Sequence, residues 1–182
     1  MPGSGRRELA SWIVGAAVLA VAFAFIWLGD SELPPPLGRG VPAPDFDVAL
    51  LDPEPTTERF VLSKHRGRFV LVNFWATWCK PCEDEMPSMQ QLYDQLGRDD
   101  FDLVAISVDV ASEEVAAFRD RMGIRFPIGL DPSQQVSRLY QTTGYPESLL
   151  IDRAGIVVER YVGPRDWSVY VGRIRERMAS AR

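Results

Sequence analysis

Cysteine and histidine are scarce in this chain, and there is no excess of basic charge. Of its 182 residues, two are Cys and one is His, and 25 acidic side chains stand against 20 basic ones for a formal charge of −5. One His and two Cys cannot supply the four Cys/His ligands of a structural zinc site. Nor can two Cys staple a disulfide scaffold, so the fold must rest on an ordinary apolar core. A net-negative chain lacks the basic face that phosphate backbones require, which argues against a nucleic-acid partner. The charged share of 25% fits neither a multi-pass membrane protein nor a wholly disordered chain. No internal repeat is present. The two thiols are therefore read as chemistry rather than as staples.

Only one long hydrophobic run exists. Leu9–Leu28 carries no charge and is rich in Ala, Val, Ile, Phe and Trp. As a helix it reaches about 30 Å, the thickness of a bilayer's hydrocarbon core. Arg6 and Arg7 precede the run, and Asp30 and Glu32 follow it. Positive flanks stay cytoplasmic, so the rest of the chain is expected to face outward. Trp12 and Trp27 suit the two headgroup levels. A second reading is a signal peptide cleaved after Ala20-Val21-Ala22 or Ala22-Phe23-Ala24. Both readings export the domain. The run is followed by prolines at 34, 35, 36, 42 and 44, a composition that favours extended, semi-stiff backbone. The expected organisation is a cytoplasmic stretch over 1–8, a transmembrane anchor over 9–28, a Pro-rich linker over 29–44 and a folded domain over 45–182.

Within the domain, strand and helix signals alternate. Val70–Trp75 and Leu103–Val108 are nearly continuous apolar runs, as in strands buried on both faces. After the first, Met86, Met89, Leu92, Tyr93 and Leu96 recur at helical spacing, with Gly97 as a stop. After the second, Ser112 is the expected cap of a helix presenting Val115, Phe118 and Met122 on one face. A shorter helix is expected over Gln134–Gln141. Ser148–Ile151 and Ile156–Val162 flank the turn sequence Asp152-Arg153-Ala154-Gly155, and Trp167, Val171, Ile174 and Met178 form a last helical stripe. Phe46–Leu51 and Phe60–Leu62 read as an added hairpin in front. The order predicts an α/β fold with a mixed central sheet flanked by helices.

Chemistry concentrates at Trp78-Cys79-Lys80-Pro81-Cys82, just after the first buried strand and at the start of the helix that follows. Residues three apart at a helix start lie within the separation that a disulfide tolerates, so the pair can open and close without remodelling the fold. Unpaired N–H groups and the positive end of the helix dipole favour the attacking thiolate. Pro81 is tolerated because first-turn N–H groups have no intrahelical partner. Cys79 is the expected exposed nucleophile, and Cys82, one turn inward, the resolving thiol. Buried-pair and half-metal-site readings of Cys-x-x-Cys are weaker, since no second ligand pair exists. No metal and no cofactor is expected.

The segment Val72-Asn73-Phe74-Trp75-Ala76-Thr77-Trp78-Cys79-Lys80-Pro81-Cys82-Glu83-Asp84-Glu85-Met86-Pro87 resembles the active site of the TlpA/ResA/CcmG (DsbE-like) thiol-disulfide oxidoreductases, which are membrane-anchored and thioredoxin-like. Pro42-Ala43-Pro44-Asp45-Phe46 and Gly144-Tyr145-Pro146-Glu147-Ser148-Leu149-Leu150-Ile151-Asp152 extend the likeness to about Val41–Met178. The resemblance implies that Cys79 attacks, that Cys82 resolves, and that Pro146 is cis and lies beside them. It also implies that the backbone at Tyr145 pairs with an extended client peptide, although Tyr145 has an equal second reading as a packing residue. Trp78 and Pro81 complete the expected substrate contacts. Asn73 stands where thioredoxins proper usually have a buried Asp. Glu85 matches an acid of the ResA-like members and has two readings, as proton acceptor for the second thiol or as dipole complement in the first turn. Trp75 and Trp78 are expected to shield the sulfurs, with a place in the core as an equal reading of Trp75. His65, in a polar loop, is expected to be solvated and without a catalytic role.

The function these residues imply is an extracytoplasmic protein-disulfide reductase acting on exported proteins, with apocytochrome c as the candidate client. A membrane thiol carrier of the DsbD or CcdA type is expected to re-reduce it. Two other readings share the motifs: a thiol oxidase, and a Cu(I)-carrying chaperone using both thiolates.

Overall fold

The computed structural model describes residues 18, 20, 37–51, 59–96 and 100–180. The chain divides into two units, Met1–Pro35 and Pro36–Arg182. The expected span over Leu9–Leu28 lies, but for Val18 and Ala20, outside the described residues, as does the first part of the Pro-rich stretch. Among the described residues no helix is long and apolar enough to cross a membrane.

In chain order the second unit contains β1 (Asp47–Leu50), β2 (Arg59–Val61), a 3-10 turn (Leu62–His65), β3 (Phe69–Trp75) and α1 (Lys80–Leu96). There follow β4 (Phe101–Ser107), α2 (Ser112–Met122), β5 (Ile128–Leu130) and α3 (Gln135–Leu139). The last elements are β6 (Glu147–Ile151), β7 (Val157–Val162), a second 3-10 turn (Trp167–Tyr170) and α4 (Val171–Ser180). The strands form one mixed sheet in the order β2-β1-β5-β4-β3-β6-β7. β3 runs parallel to β4 and antiparallel to β6, which places it in the interior of the sheet beside the middle strand β4. This is the mixed sheet with an added front hairpin that the sequence pattern predicts.

Alternation along β3 distributes the core. Phe69, Leu71 and Trp75 join the buried cluster under α1, α2 and α4, while Val70, Val72 and Phe74 join the cluster under the hairpin and α3. All seven positions of β3 are buried, which is why its sequence is apolar without interruption except at Asn73. Trp167, Ile174 and Met178 are buried as the C-terminal stripe predicts, each buried side chain contributing about 2 kcal/mol.

Three local features differ from the sequence reading. Ala111, not Ser112, caps α2, with no side-chain bond; Ser112 is the first helical residue. β5, only three residues long, carries no periodicity a sequence reading can use and is held by pairing with β4 and β1. The folded unit also takes up 37–44, which composition assigned to the linker. Leu37 is buried, and the strap from Gly40 to Ala43 lies along the start of β7. There the Gly40 N–H donates to Val157 O at 2.7 Å, the Val157 N–H to Val41 O at 2.9 Å and the Ala43 N–H to Gly155 O at 2.9 Å. Proline-rich backbone is already extended and pairs with a strand edge at little ordering cost. The turn at Gly155 has a positive φ of 81°, which disfavours any residue with a side chain there.

Candidate active site

The carboxyl ends of β3 and β4 set the site. β3 ends at Trp75, a short loop follows, and α1 begins at Lys80, so Cys79 sits immediately before the helix and Cys82 in its first turn. The two sulfurs are bonded at 2.06 Å with Cα atoms 5.2 Å apart. The backbone N–H of Cys82 points at Cys79 Sγ at 3.3 Å, so a first-turn donor faces the outer sulfur. Cys79 is 6% exposed and Cys82 0%. The order of access is the one the sequence implies. Cys79 is nevertheless buried rather than exposed as expected, because it belongs to the apolar cluster that also holds Trp75, Ala76 and Cys82. Lys80 does not simply favour the thiolate, since its ammonium pairs with Asp84 at 2.9 Å and with Glu83 at 3.7 Å.

The two tryptophans part company. Trp75 is completely buried, stacks near Phe118 with centroids 4.8 Å apart, and shares a cluster with both cysteines. Trp78 is 69% exposed and meets only the edge of Tyr145, 6.0 Å away. Trp75 thus takes the place in the core that its second reading gives it, and Trp78 is a surface aromatic. Its neighbour in space, Tyr145, is half-buried and places its hydroxyl 3.0 Å from Ser137 Oγ.

Glu85 lies on α1 one turn beyond Cys82 and is only 3% exposed. Its Oε1 accepts from Asn73 Nδ2 at 3.0 Å and its Oε2 from the Arg165 N–H at 3.0 Å. Asn73 Nδ2 also donates to Ser148 Oγ at 2.9 Å, which ties β3, β6 and α1 together around the carboxyl. Burial pushes Glu85 up to about 7, and the bonds from Arg165 and Asn73 only partly oppose it. A carboxyl poised near neutrality beside a buried thiol can take or give a proton, whereas a first-turn dipole complement would be a solvated carboxylate.

The Tyr145-Pro146 peptide is cis. Pro146 is buried, and its carbonyl accepts from the Gly163 N–H at 2.9 Å. Among the described residues neither the N–H nor the C=O of Tyr145 has a hydrogen-bond partner. An open donor and acceptor on an extended loop form the edge to which another chain can add a strand.

One residue of the site escapes the sequence reading. Asp109 follows β4, is 5% exposed, and accepts from the Thr77 N–H at 2.9 Å, Thr77 Oγ1 at 2.8 Å and Ser107 Oγ at 2.7 Å. It fastens the loop that delivers Cys79. Its signal in the sequence is a lone acid closing a buried parallel strand at the carboxyl end, where open α/β sheets place their sites. Asp109→Ala is expected to cost about 3 kcal/mol of stability, since three donors lose their buried acceptor. Urea unfolding measures it, and a shift below about 0.5 kcal/mol would show the loop to be held otherwise.

His65 lies at the opposite edge, near the start of β4. Its ring stacks on Phe60 with centroids 4.0 Å apart, and its Nδ1 is 2.7 Å from Asp102 Oδ2. It is half-buried and paired rather than solvated, because the 3-10 turn folds it back on the hairpin.

The AhpC/TSA family profile matches residues 39–160. The thiol-disulfide oxidoreductase ResA of Geobacillus kaustophilus is 40% identical over 124 residues, 68% of this chain and 69% of that protein. A thiol:disulfide interchange protein of the thioredoxin family from Chlorobium tepidum superposes with a TM-score of 0.63 and 31% identity, covering 74% of this chain and 96% of that one. StoA of Bacillus subtilis superposes with a TM-score of 0.59 and 25% identity, covering 74% of this chain and 98% of that one.

Proposed function

Because the chain belongs to the AhpC/TSA family of thioredoxin-like proteins, in its TlpA/ResA/CcmG group, and is a thiol-disulfide oxidoreductase, we propose that it reduces disulfides of exported proteins from a membrane tether. The observation that carries this reading is the joined pair Cys79–Cys82 at the start of α1, with Cys79 the less deeply buried of the two and a near-neutral carboxyl one turn beyond Cys82. The run Leu9–Leu28 supplies the tether or export signal, 29–36 a spacer, and the remainder the catalytic body facing the periplasm or extracytoplasmic space.

In the proposed cycle Cys79 thiolate attacks one sulfur of the client disulfide. That bond breaks, a mixed disulfide forms, and the first client thiolate leaves and takes up a proton. Cys82 then loses its proton to the Glu85 carboxylate and attacks Cys79 Sγ. The second client thiolate leaves, and the Cys79–Cys82 bond forms. Two electrons have passed to the client. Trp78, Pro81 and the Tyr145 backbone at Pro146 receive the client chain in extended form. Apocytochrome c before haem attachment is a client of the required kind, with two nearby cysteines. A membrane thiol carrier of the DsbD or CcdA type returns the electrons.

Direction of flow separates a reductase from an oxidase of the same architecture. Equilibration against glutathione is expected to place the couple near the thioredoxin end of the scale, about −270 mV. A value near the DsbA end, about −120 mV, would make it an oxidase.

A further inference from the structure

Glu147 follows Pro146 and is completely buried, so its carboxylate requires a counter-charge. Arg160, opposite Leu149 on β7, supplies it: Nε donates to Glu147 Oε1. Each of the three guanidinium nitrogens donates once. Nη1 donates to Leu37 O at 2.8 Å and Nη2 to Gln141 O at 2.7 Å. Glu147 Oε2 in turn accepts from the Thr143 N–H at 2.9 Å. One planar fork thus reaches the start of the strap, the left-handed residue Gln141 (φ 52°) where the loop begins, and the carboxylate that pins the loop's backbone.

We propose that Arg160 is a positioning residue through which the seat of the strap at Leu37 sets the order of the loop from Gln141 to Pro146. The proposal rests on the reading that this loop receives the client, and it adds that the chain arriving from the membrane side helps to shape it. Ordinary ion-pair stabilisation does not account for the arrangement. Two of the three donors go to carbonyls of irregular backbone, and both of those segments end at the loop or at the domain's N-terminal edge. A lysine cannot serve, because an ammonium is a single point and cannot hold three separately directed acceptors.

The test uses the full-length protein with Arg160→Lys and Leu37→Asp, the second unseating Leu37, whose carbonyl Arg160 holds, while the Arg160 side chain and the loop sequence stay as they are, and with Leu37→Ala as the uncharged control. Amide exchange at Thr143 reads loop order, and KM and kcat toward a disulfide-bonded peptide read its consequence. Exchange at Thr143 is expected to quicken about tenfold in both variants, with KM raised about fivefold and kcat within about twofold. Unchanged Thr143 exchange in Leu37→Asp overturns the linkage. Faster exchange with unchanged KM upholds the linkage and overturns the client-loop reading on which its consequence rests. Should Arg160→Lys not fold, Leu37→Asp and the milder Leu37→Ala decide the question by the same readouts.

Discussion

Cys79→Ser is expected to lower protein-disulfide turnover by at least about a thousandfold, and Cys82→Ser by a similar factor. The two losses have different causes. Serine at 79 removes the attacking sulfur, and a hydroxyl is far too basic to replace a thiolate at neutral pH. Serine at 82 leaves attack intact and blocks release, so a single turnover stops half-way. The proposed order of the two steps follows the relative burial of the two sulfurs. Only Cys79 has any exposure, and the Cys82 N–H points at its sulfur. Insulin or peptide disulfide reduction checks both variants. Turnover in Cys79→Ser within about tenfold of the parent protein would remove Cys79 from its proposed role.

Glu85→Gln has the second largest expected effect, and its sign depends on pH. The carboxyl is held near 7 in the folded protein against an ordinary 4.5, so the fold binds its proton more tightly than the unfolded chain does. The contribution to stability is full below about pH 4.5 and is lost as pH rises through about 7. A tenfold difference in proton affinity is worth about 1.4 kcal/mol, so at pH 8 the buried carboxylate costs about 3 kcal/mol. Glutamine carries no charge at any pH. Its oxygen can keep the bond from the Arg165 N–H, and its amide can donate to Asn73 Oδ1, a buried oxygen with no partner. Glu85→Gln is expected to be about 3 kcal/mol more stable than the parent at pH 8 and nearly equal at pH 4. Urea midpoints at the two pH values measure this, and a difference that does not grow with pH would contradict the burial of a titrating carboxyl. The same substitution removes the proposed acceptor for the Cys82 proton, so turnover at pH 7 should fall about a hundredfold while stability rises. Opposite changes in stability and activity from one substitution distinguish a proton-handling group from a structural one.

Much of this arrangement is legible in the sequence because strong local signals mark it. An uninterrupted apolar run gives β3 and β4, helical spacing gives α1, and Cys-x-x-Cys at their junction gives the reactive pair. What the sequence hides depends on distant chain segments meeting. Glu85 keeps two readings, proton acceptor or first-turn dipole complement, until Arg165 and Asn73, far away in the chain, close over it. Asp109 shows its purpose only when Thr77 arrives from the neighbouring strand end. His65 reads as solvated because Phe60 and Asp102 approach it only after folding. The strap reads as linker because proline content speaks to stiffness, not to whether a sheet edge lies alongside. Trp78 errs the other way: an aromatic beside a reactive sulfur suggests cover, but the turn into α1 leaves it facing outward.

The central claim is that Cys79 is the sulfur that attacks and Cys82 the one that resolves. Mass spectrometry of the reduced Cys82→Ser protein, mixed with one equivalent of a disulfide-bonded peptide, addresses it most directly. The expected result is a single peptide adduct on Cys79, released by dithiothreitol, with no adduct formed by Cys79→Ser under the same conditions. A stable adduct on Cys82 in Cys79→Ser, with none on Cys79 in Cys82→Ser, would reverse the assignment.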